Sequence, residues 1–273
     1  MNALLRKVAA ALPEAWRLHF RRHFAWRWFR CSYSSWAEAR AASSGYDDSA
    51  VLARVLAATR KVRAGSASWE RDGWAFDSPE LNLPLVSALR LAAEECGGKL
   101  DVVDFGGSLG STWWQHRAAL DKMAAVRWHV VEQPHYVAIA DEFSNHVLTF
   151  HQSIDEALKT CEPMFVLFSS VLPYVEDPMA LLAKAVSRGF RHIVIDRTPL
   201  VRKQGGRLAV QFTPSSLGGG SYPVWLFARD ELLAPLRTNY ALVDEWPAID
   251  RLDPDVEHKG FHFRRLTGAR STQ

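Results

Sequence analysis

The fold is decided by one stretch of the chain, Leu100-Asp101-Val102-Val103-Asp104-Phe105-Gly106-Gly107-Ser108-Leu109-Gly110. Its β-rich first half predicts a buried strand at 100–105, and the helical pattern after the glycines runs to Met123. Glycine lets a ligand approach the backbone closely, and the first turn of the following helix leaves N–H groups unpaired. This order of strand, glycine-rich bend and helix predicts a ligand site at the carboxyl edge of an open α/β sheet.

Strand and helix patterns alternate along the chain after this bend. We predict strands at 126–131, 147–150, 165–168 and 192–195, separated by helices at 134–145, 155–161 and 178–188. Such alternation is typical of a parallel sheet covered by helices on both faces. After a short helix at 230–237, two strands at 240–246 and 261–266 lack a helical crossover, so we expect them to form an antiparallel pair at one edge.

The residues before this sheet have helical patterns. Ser35 and Glu38 form a capping-box pattern, and further helices are expected at 47–62 and 79–96, the last starting as late as Pro84. We therefore predict two domains: a basic arm with a helical cap at residues 1–98, and a sheet domain at residues 99–273. Residues 197–228 are glycine-rich and long for a connector, so we expect them to form a loop over the site.

The composition indicates an ordinary soluble protein. The chain has 273 residues, of which 48% are hydrophobic and 23% are charged. Its apolar runs are too short to span a bilayer, and no signal-peptide cleavage pattern is visible, so a cytoplasmic location is expected. The three cysteines, Cys31, Cys96 and Cys161, are too widely spaced to form a metal site, and no metal is expected.

The net charge of +3 is unevenly distributed. Residues 1–36 hold seven basic residues and one acidic residue, so the rest of the chain is slightly acidic and no nucleic-acid partner is expected. Apolar side chains recur every four residues in this basic arm, at Leu12, Trp16, Phe20, Phe24 and Trp28. We expect the arm to pack on the body or on a partner protein, or to contact the anionic cytoplasmic face of the inner membrane.

Two carboxylates beside the bend define the expected ligand. Glu132 ends the next predicted strand, where a carboxylate can accept both hydroxyl groups of a ribose, with a solvated strand-end residue as the alternative. Asp104 precedes the bend and would repel a phosphate group but attract a cation. S-adenosylmethionine carries a sulfonium, an ammonium group and a ribose but no phosphate, so it is the expected cofactor.

Seven short stretches carry a resemblance to a known class of enzymes: Gly45-Tyr46-Asp47, Glu70-Arg71-Asp72, Asp104-Phe105-Gly106-Gly107-Ser108-Leu109-Gly110-Ser111, Val131-Glu132-Gln133, Ser169-Ser170-Val171-Leu172-Pro173-Tyr174, Ile195-Asp196-Arg197-Thr198-Pro199 and Tyr222-Pro223-Val224-Trp225. The chain resembles class I S-adenosylmethionine-dependent methyltransferases. These have a Rossmann-like α/β fold with a mostly parallel seven-stranded sheet and an antiparallel C-terminal edge pair. More narrowly, it resembles a bacterial family of proposed methyltransferases associated with surface-polysaccharide genes.

The resemblance implies a role for each matching position. The residues expected around the methionine part of the cofactor are Asp104, Gly106, Gly107, Ser108 and Gly110. Glu132 would hold the ribose and Gln133 would lie against the adenine. Ser169 and Ser170 would lie beside the methyl group, with capping of their strand as the alternative.

Methyl transfer to a hydroxyl group needs positioning and a base. The candidate catalytic residues near the same sheet edge are Asp196, Arg197, Glu70 and His135. The candidate acceptor-binding residues are Arg71, Asp72, Tyr174, Tyr222 and Trp225. Salt bridges would explain the arginines equally well, and core packing is the alternative for the aromatic residues.

We therefore expect a methyltransferase that O-methylates a saccharide or glycolipid precursor of a surface polysaccharide. Two alternatives remain open. Residues 106–110 also match the G-x-S-x-G nucleophile elbow, which would make Ser108 the nucleophile of an α/β-hydrolase-like esterase with Asp196 and either His258 or His262. The chain could instead be a catalytically silent methyltransferase fold that acts as an assembly factor through its basic arm.

Overall fold

The computed structural model describes residues 28–44, 48–202, 205–213, 219–248, 250 and 255–268. Most of the basic arm, and the matching stretch Gly45-Tyr46-Asp47, lie outside these described residues. Within the described part, no helix has both the length and the apolar character needed to cross a membrane.

The N-terminal elements are mixed rather than helical throughout. They are strand β1 (Phe29–Tyr33), helices α1 (Trp36–Ala41) and α2 (Asp48–Arg63), hairpin strands β2 (Trp69–Arg71) and β3 (Trp74–Phe76), and helix α3 (Leu83–Glu94). The predicted capping box is present in part, because the Ser35 side chain accepts a hydrogen bond from the Glu38 amide nitrogen at 3.2 Å. The prediction that this whole region is helical is wrong for β1 and for the β2–β3 hairpin.

The remaining strands are β4 (Lys99–Phe105), β5 (Ala125–Val131), β6 (Leu148–His151), β7 (Phe165–Ser169), β8 (His192–Val201), β9 (Arg207–Phe212), β10 (Ser221–Leu226), β11 (Tyr240–Pro247) and β12 (Val256–Arg265). Seven of them form the central sheet, in the order β11-β12-β8-β7-β4-β5-β6. Neighbours from β8 to β6 are parallel, whereas β12 runs antiparallel to both β8 and β11. The predicted sheet with its antiparallel edge pair is therefore confirmed.

In the described part of the chain, five α-helices connect these strands: α4 (Ser111–Leu120), α5 (Pro134–Val137), α6 (Ile154–Ala157), α7 (Pro178–Ser187) and α8 (Arg229–Leu233). The predicted helix at 134–145 is wrong in extent, because α5 ends at Val137 and a separate 3₁₀ turn follows at Ala140–Glu142. The side chain of Asn145 then accepts hydrogen bonds from the amides of Val147 and Leu148, which turns the chain into β6.

The described part of residues 197–228 does not form the predicted loop. β8 extends to Val201, and β9 and β10 pair with β1 in a small sheet of order β1-β9-β10. Leu208, Ala209 and Val210 are buried, so this segment folds because it packs on both faces. Through this small sheet, β1 pairs with β9, the strand that follows β8 of the central sheet.

Two hydrophobic clusters flank the central sheet. Alternate residues of β4 serve opposite faces, since Val102 belongs to the cluster with Leu89 of α3 and Val103 to the cluster with Leu182 of α7. Burial on both faces fixes the strand register, and with it the positions of the side chains that follow each strand.

Candidate active site

A cleft of about 590 Å³ lies at the carboxyl edge of the central sheet. Its lining comes from the ends of β4, β5, β7 and β8, from the β2–β3 hairpin and the start of α4, and from the small sheet. The cleft gathers all but three of the predicted site residues.

The glycine-rich bend follows β4 as predicted. Gly106 has a positive φ of 72°, and its amide donates a hydrogen bond to the carbonyl oxygen of Val131 at 2.8 Å. A Cβ atom at Gly107 would lie 2.6 Å from Oδ2 of Asp104, so only glycine fits at this position without movement. The bend therefore exposes backbone, rather than side chains, to the cleft.

Asp104 lies behind the bend and is 1% exposed. Its Oδ2 atom accepts a hydrogen bond from the Trp128 indole nitrogen at 3.0 Å. Burial raises the pKa of Asp104 to about 7, the Trp128 hydrogen bond opposes this, and the nearby charge of Glu132 adds to it. A cation bound beside Asp104 would favour its ionised form.

Glu132 joins the end of β5 to the bend. Its Oε1 atom accepts a hydrogen bond from the Ser108 amide at 3.1 Å, and its Oε2 atom accepts one from the Gln133 amide at 2.8 Å. Burial raises the pKa of Glu132, and these two amide hydrogen bonds oppose the increase. Each carboxylate oxygen retains room for a further donor, such as a ribose hydroxyl.

Backbone strain is concentrated at the cleft. Among the described residues, four that are not glycine have positive φ: Asp72, Ser108, Ser170 and Arg197, at 52° to 57°. All four line the cleft. Such conformations cost about 1–3 kcal/mol each and cluster at functional sites, so the cleft is the best candidate for one.

Asp196, predicted as a base, is held by three donors. Oδ2 accepts hydrogen bonds from Asn82 Nδ2 at 3.0 Å and from Ser169 Oγ at 3.4 Å, and Oδ1 accepts one from Trp246 Nε1 at 3.0 Å. The Trp246 indole reaches this position because it lies over Gly260, where a Cβ atom would come within 2.1 Å of the ring. Burial raises the pKa of Asp196. The carboxylate is therefore built into the cleft wall.

Arg197 forms a two-pronged ion pair with Asp250. The Nε and Nη2 atoms each donate to one carboxylate oxygen of Asp250, both at 3.0 Å. This hydrogen-bonded pair lowers the pKa of Asp250, although burial opposes the change. The salt-bridge alternative that the sequence left open is thus present for Arg197.

The β2–β3 hairpin places Glu70, Arg71 and Asp72 at the cleft. Glu70 is 1% exposed and accepts hydrogen bonds from Ser111 Oγ and, at 3.3 Å, from the Gly73 amide. Burial raises the pKa of Glu70 to about 7. The Arg71 guanidinium lies 4.8 Å from the centre of the Trp69 ring. Asp72 is exposed at the turn of the hairpin.

A polar aromatic wall forms the opposite side of the cleft. Tyr174 and Tyr222 meet edge to face with their ring centres 5.4 Å apart, and both line the cleft as predicted. The Tyr174 hydroxyl donates to Gln211 Oε1 at 2.9 Å, and Tyr222 shares a hydrogen bond with Thr213 at 3.1 Å. Gln211 and Thr213 belong to the segment predicted as a loop and were missed.

Three predicted site residues do not line the cleft. Gly110 is the N-cap residue of α4 and lies against Leu148. A Cβ atom at Gly110 would come within 2.9 Å of that side chain. The His135 ring lies against Tyr136, with the ring centres 4.9 Å apart. The Trp225 indole donates to the Glu176 carbonyl at 3.3 Å and stacks on Trp36 instead.

Sequence reasoning also missed Asn82, His116 and His258, which line the cleft. Asn82 precedes Leu83-Pro84, a pattern that indicates an N-cap, and its side chain accepts the Leu85 amide at 3.3 Å. The backbone amide of Asn82 donates a hydrogen bond to His116 Nε2 at 3.1 Å, while His116 Nδ1 lies 2.8 Å from the Thr112 carbonyl oxygen. Burial lowers the pKa of His116 to about 4, so this ring is neutral and structural.

The cleft is acidic. Its described lining includes two guanidinium groups, on Arg71 and Arg197, against six carboxyl groups, on Glu70, Asp72, Asp104, Glu132, Asp196 and Asp250. Because the Arg197 charge is already paired, the surface favours a cationic ligand over one with several phosphates. No group of residues suited to hold a metal ion is found in the described part of the chain.

A second cavity, of about 750 Å³, lies at the opposite edge of the sheet. Its lining includes Lys99 and Arg127 at the start of β4 and β5, and Arg127 is bonded to Asp101 at 2.6 Å. None of the predicted site residues lines it.

The hydrolase alternative needs Ser108 to contact a histidine. In the described structure, no hydrogen bond joins Ser108 to His258 or His262. The Nε2 atom of His262 lies instead 3.0 Å from Nδ1 of His192. The Ser108 backbone is bound to Glu132, which has no role in the hydrolase arrangement.

Comparison with known proteins finds similarity only among solved structures. No family model matches the chain, and no curated protein matches it. The N-terminal domain of EvdMO1, crystallised in the presence of SAH and D-fucose, is 17% identical with a TM-score of 0.45, over 81% of this chain and 97% of that one. The 1,6-didemethyltoxoflavin-N1-methyltransferase of Burkholderia thailandensis is 15% identical with a TM-score of 0.41, over 82% and 92%.

CalS10, an amino pentose methyltransferase from Micromonospora echinaspora, is 14% identical with a TM-score of 0.41, over 67% of this chain and 89% of that one. Similarity this low carries no conclusion about the ligand or substrate of this chain. The mostly parallel seven-stranded sheet and its antiparallel edge pair are the architecture that the sequence predicted.

Proposed function

We propose that the chain is an S-adenosylmethionine-dependent methyltransferase. The observation that carries this proposal is the arrangement of Asp104, the glycine-rich bend and Glu132 at the carboxyl edge of the sheet, inside an acidic cleft. A ligand with a ribose and positive charge fits both carboxylates, and the missing side chain at Gly107 leaves room for the Asp104 carboxylate behind the bend. The same carboxylates disfavour the pyrophosphate of a dinucleotide.

The chain's residues bind and orient in this proposal. Glu132 holds the ribose hydroxyls, Asp104 and the backbone of 106–108 surround the amino-acid end, and Ser169 and Ser170 lie beside the reacting methyl group. When bound, the cofactor supplies a methyl group on a sulfonium. Positioning this group against an acceptor can contribute roughly 7–11 kcal/mol to lowering the barrier.

For the acceptor, we propose a hydroxyl group of a saccharide or glycolipid precursor. The support is the wall of Tyr174, Tyr222 and Gln211, which offers aromatic rings next to an amide. Aromatic faces and polar side chains together suit a sugar ring. Contact of residues 1–36 with a membrane face or a partner protein stays a prediction.

Titration calorimetry tests the cofactor. The purified chain is titrated with S-adenosylmethionine, S-adenosylhomocysteine and NAD in parallel. We expect both adenosyl compounds to bind and NAD to show no heat of binding. Binding of NAD alone, or of none of the three, would contradict the proposal.

A further inference from the structure

His258 is a buried imidazole in the cleft wall with no visible structural task. It lies on β12, opposite Pro199 of β8, and is 7% exposed. Neither of its ring nitrogens makes a hydrogen bond with any residue that the structure describes, and Nδ1 is itself fully buried. An unsatisfied buried polar group costs about 1–3 kcal/mol, and among the buried nitrogens that lack a partner in the described structure only that of His258 belongs to a residue lining the cleft.

His116 shows the contrast within the same cleft. Both of its ring nitrogens are engaged, one with the Thr112 carbonyl at 2.8 Å and the other with the Asn82 amide at 3.1 Å. This histidine is explained by the fold alone. His258 is not.

The charged groups that face His258 are Arg197, from β8, and Asp250, which follows β11. They are bonded to each other through both carboxylate oxygens of Asp250, so they form a nearly neutral pair. Burial is the largest influence and lowers the pKa of His258. The imidazole is therefore neutral near pH 7 and has a lone pair to offer.

The other candidate proton acceptors in the cleft are less suitable. Asp196 and Glu70 already accept hydrogen bonds from protein donors on both oxygens and so help to hold the cleft wall, whereas the His258 ring has no such described donor. Asp72 is exposed at the turn of the hairpin rather than buried in the cleft wall. His258 combines burial, neutrality and the absence of a described hydrogen-bond partner.

We propose that His258 is the catalytic base that takes the proton of the acceptor hydroxyl group, an inference that rests on the proposed methyltransferase function. The acceptor oxygen bonds to the methyl carbon as the carbon–sulfur bond of the sulfonium breaks, leaving a neutral thioether. The hydroxyl proton moves to an unprotonated ring nitrogen of His258. The imidazolium so formed then loses its proton to water.

The test measures S-adenosylhomocysteine release from S-adenosylmethionine with glycerol and the methyl glycosides of glucose, galactose, rhamnose and fucose as hydroxyl probes. With the best probe, His258→Gln should lower kcat by about 100-fold or more, the usual contribution of a general base. Calorimetric affinity for S-adenosylmethionine should not change. Added imidazole should restore part of the rate to His258→Ala.

His262→Gln is the matched control, because His262 is a buried histidine of the same strand that lies outside the cleft. It should lower stability but keep kcat. If His258→Gln fails to fold, His258→Asn replaces it. Wild type adds a readout of its own: kcat should fall on the acid side, at a pH below the ordinary imidazole range, because burial lowers the pKa of His258 and the ring must be unprotonated.

Three results would overturn the inference. They are wild-type kcat in His258→Gln, no product from any hydroxyl probe while the cofactor binds, and imidazole rescue of Asp72→Ala instead of His258→Ala. Failure of the cofactor itself to bind would remove the proposed function rather than the role of His258.

Discussion

The carboxylate of Glu132 accepts a hydrogen bond from the amide nitrogen of Ser108, with 3.1 Å between Oε1 and N. This contact ties the end of β5 to the bend that follows β4. It also helps to hold Ser108 at its strained φ of 56°. Glu132 therefore shapes the backbone of the proposed cofactor site as well as offering oxygens to a ribose.

Replacing Glu132 by alanine should weaken S-adenosylmethionine binding by roughly 1.5–3 kcal/mol, the scale of hydrogen bonds to a charged group. Titration calorimetry measures this loss. Glu142→Ala is the control, since Glu142 pairs with Arg60 and lies outside the cleft. Unchanged affinity in Glu132→Ala would remove Glu132 from the site.

Gly107→Ala should reduce both stability and cofactor affinity, because the new Cβ atom would lie 2.6 Å from Oδ2 of Asp104. Crowding of this kind costs about 1–3 kcal/mol. Denaturant unfolding and calorimetry measure the two effects. Gly97→Ala is the control: it meets no atom within 4 Å and has a φ of 65°, so it should lose stability but keep cofactor affinity. Equal cofactor affinity in both variants would contradict the prediction.

Cofactor binding should release a proton near neutral pH. The pKa of Asp104 is raised to about 7, mainly by burial, and a bound cation favours the ionised carboxylate. Affinity should therefore increase as the pH rises through 7. Calorimetry at about pH 6.5 in two buffers with different ionisation enthalpies should give different binding heats.

Asp104→Asn should abolish this buffer dependence. Without ligand, the raised pKa also means that Asp104 contributes stability at low pH that is lost as the pH rises from about 4 to about 7. Wild type should therefore lose stability relative to Asp104→Asn across that interval. Identical binding heats for wild type in the two buffers would show that Asp104 does not titrate on binding.

The central sheet and the side of the cleft proposed to bind the cofactor could be located from the sequence because their information is local. The bend at 106–110 and the strand that ends before Glu132 lie within short stretches, and parallel strands bring their carboxyl ends to one edge. The same local pattern placed His135 near the site, but His135 does not line the cleft, because its ring lies against Tyr136 of the short helix α5.

The side of the cleft proposed to bind the acceptor was not predictable, because its contacts join distant parts of the chain. β1 pairs with β9, and Tyr174 bonds to Gln211 of that strand. No local pattern in residues 197–228 predicts a small sheet, because the strands of this sheet are stabilised by packing on the rest of the fold. Likewise, the absence of a described hydrogen-bond partner for the His258 ring can be recognised only from the three-dimensional arrangement of its neighbours.

The Asn82 side chain joins two elements of the cleft wall, the start of α3 and the end of the sheet at Asp196. It caps α3 and donates to Asp196 Oδ2 at 3.0 Å, across 114 residues of sequence. Asn82→Ala should lower the free energy of unfolding by about 1–3 kcal/mol, since it removes a cap and a buried donor.

Asn82→Asp keeps the cap but sets a second carboxyl group against Asp196, whose pKa burial already raises. Because a further rise in that pKa makes the ionised form costly, Asn82→Asp should lose stability relative to wild type as the pH rises above about 4. Denaturant unfolding across pH measures this. Asn145→Asp is the control, because Asn145 also accepts backbone amides but its side chain contacts no described carboxylate. The same pH dependence in both aspartate variants would show that Asn82 is not coupled to Asp196.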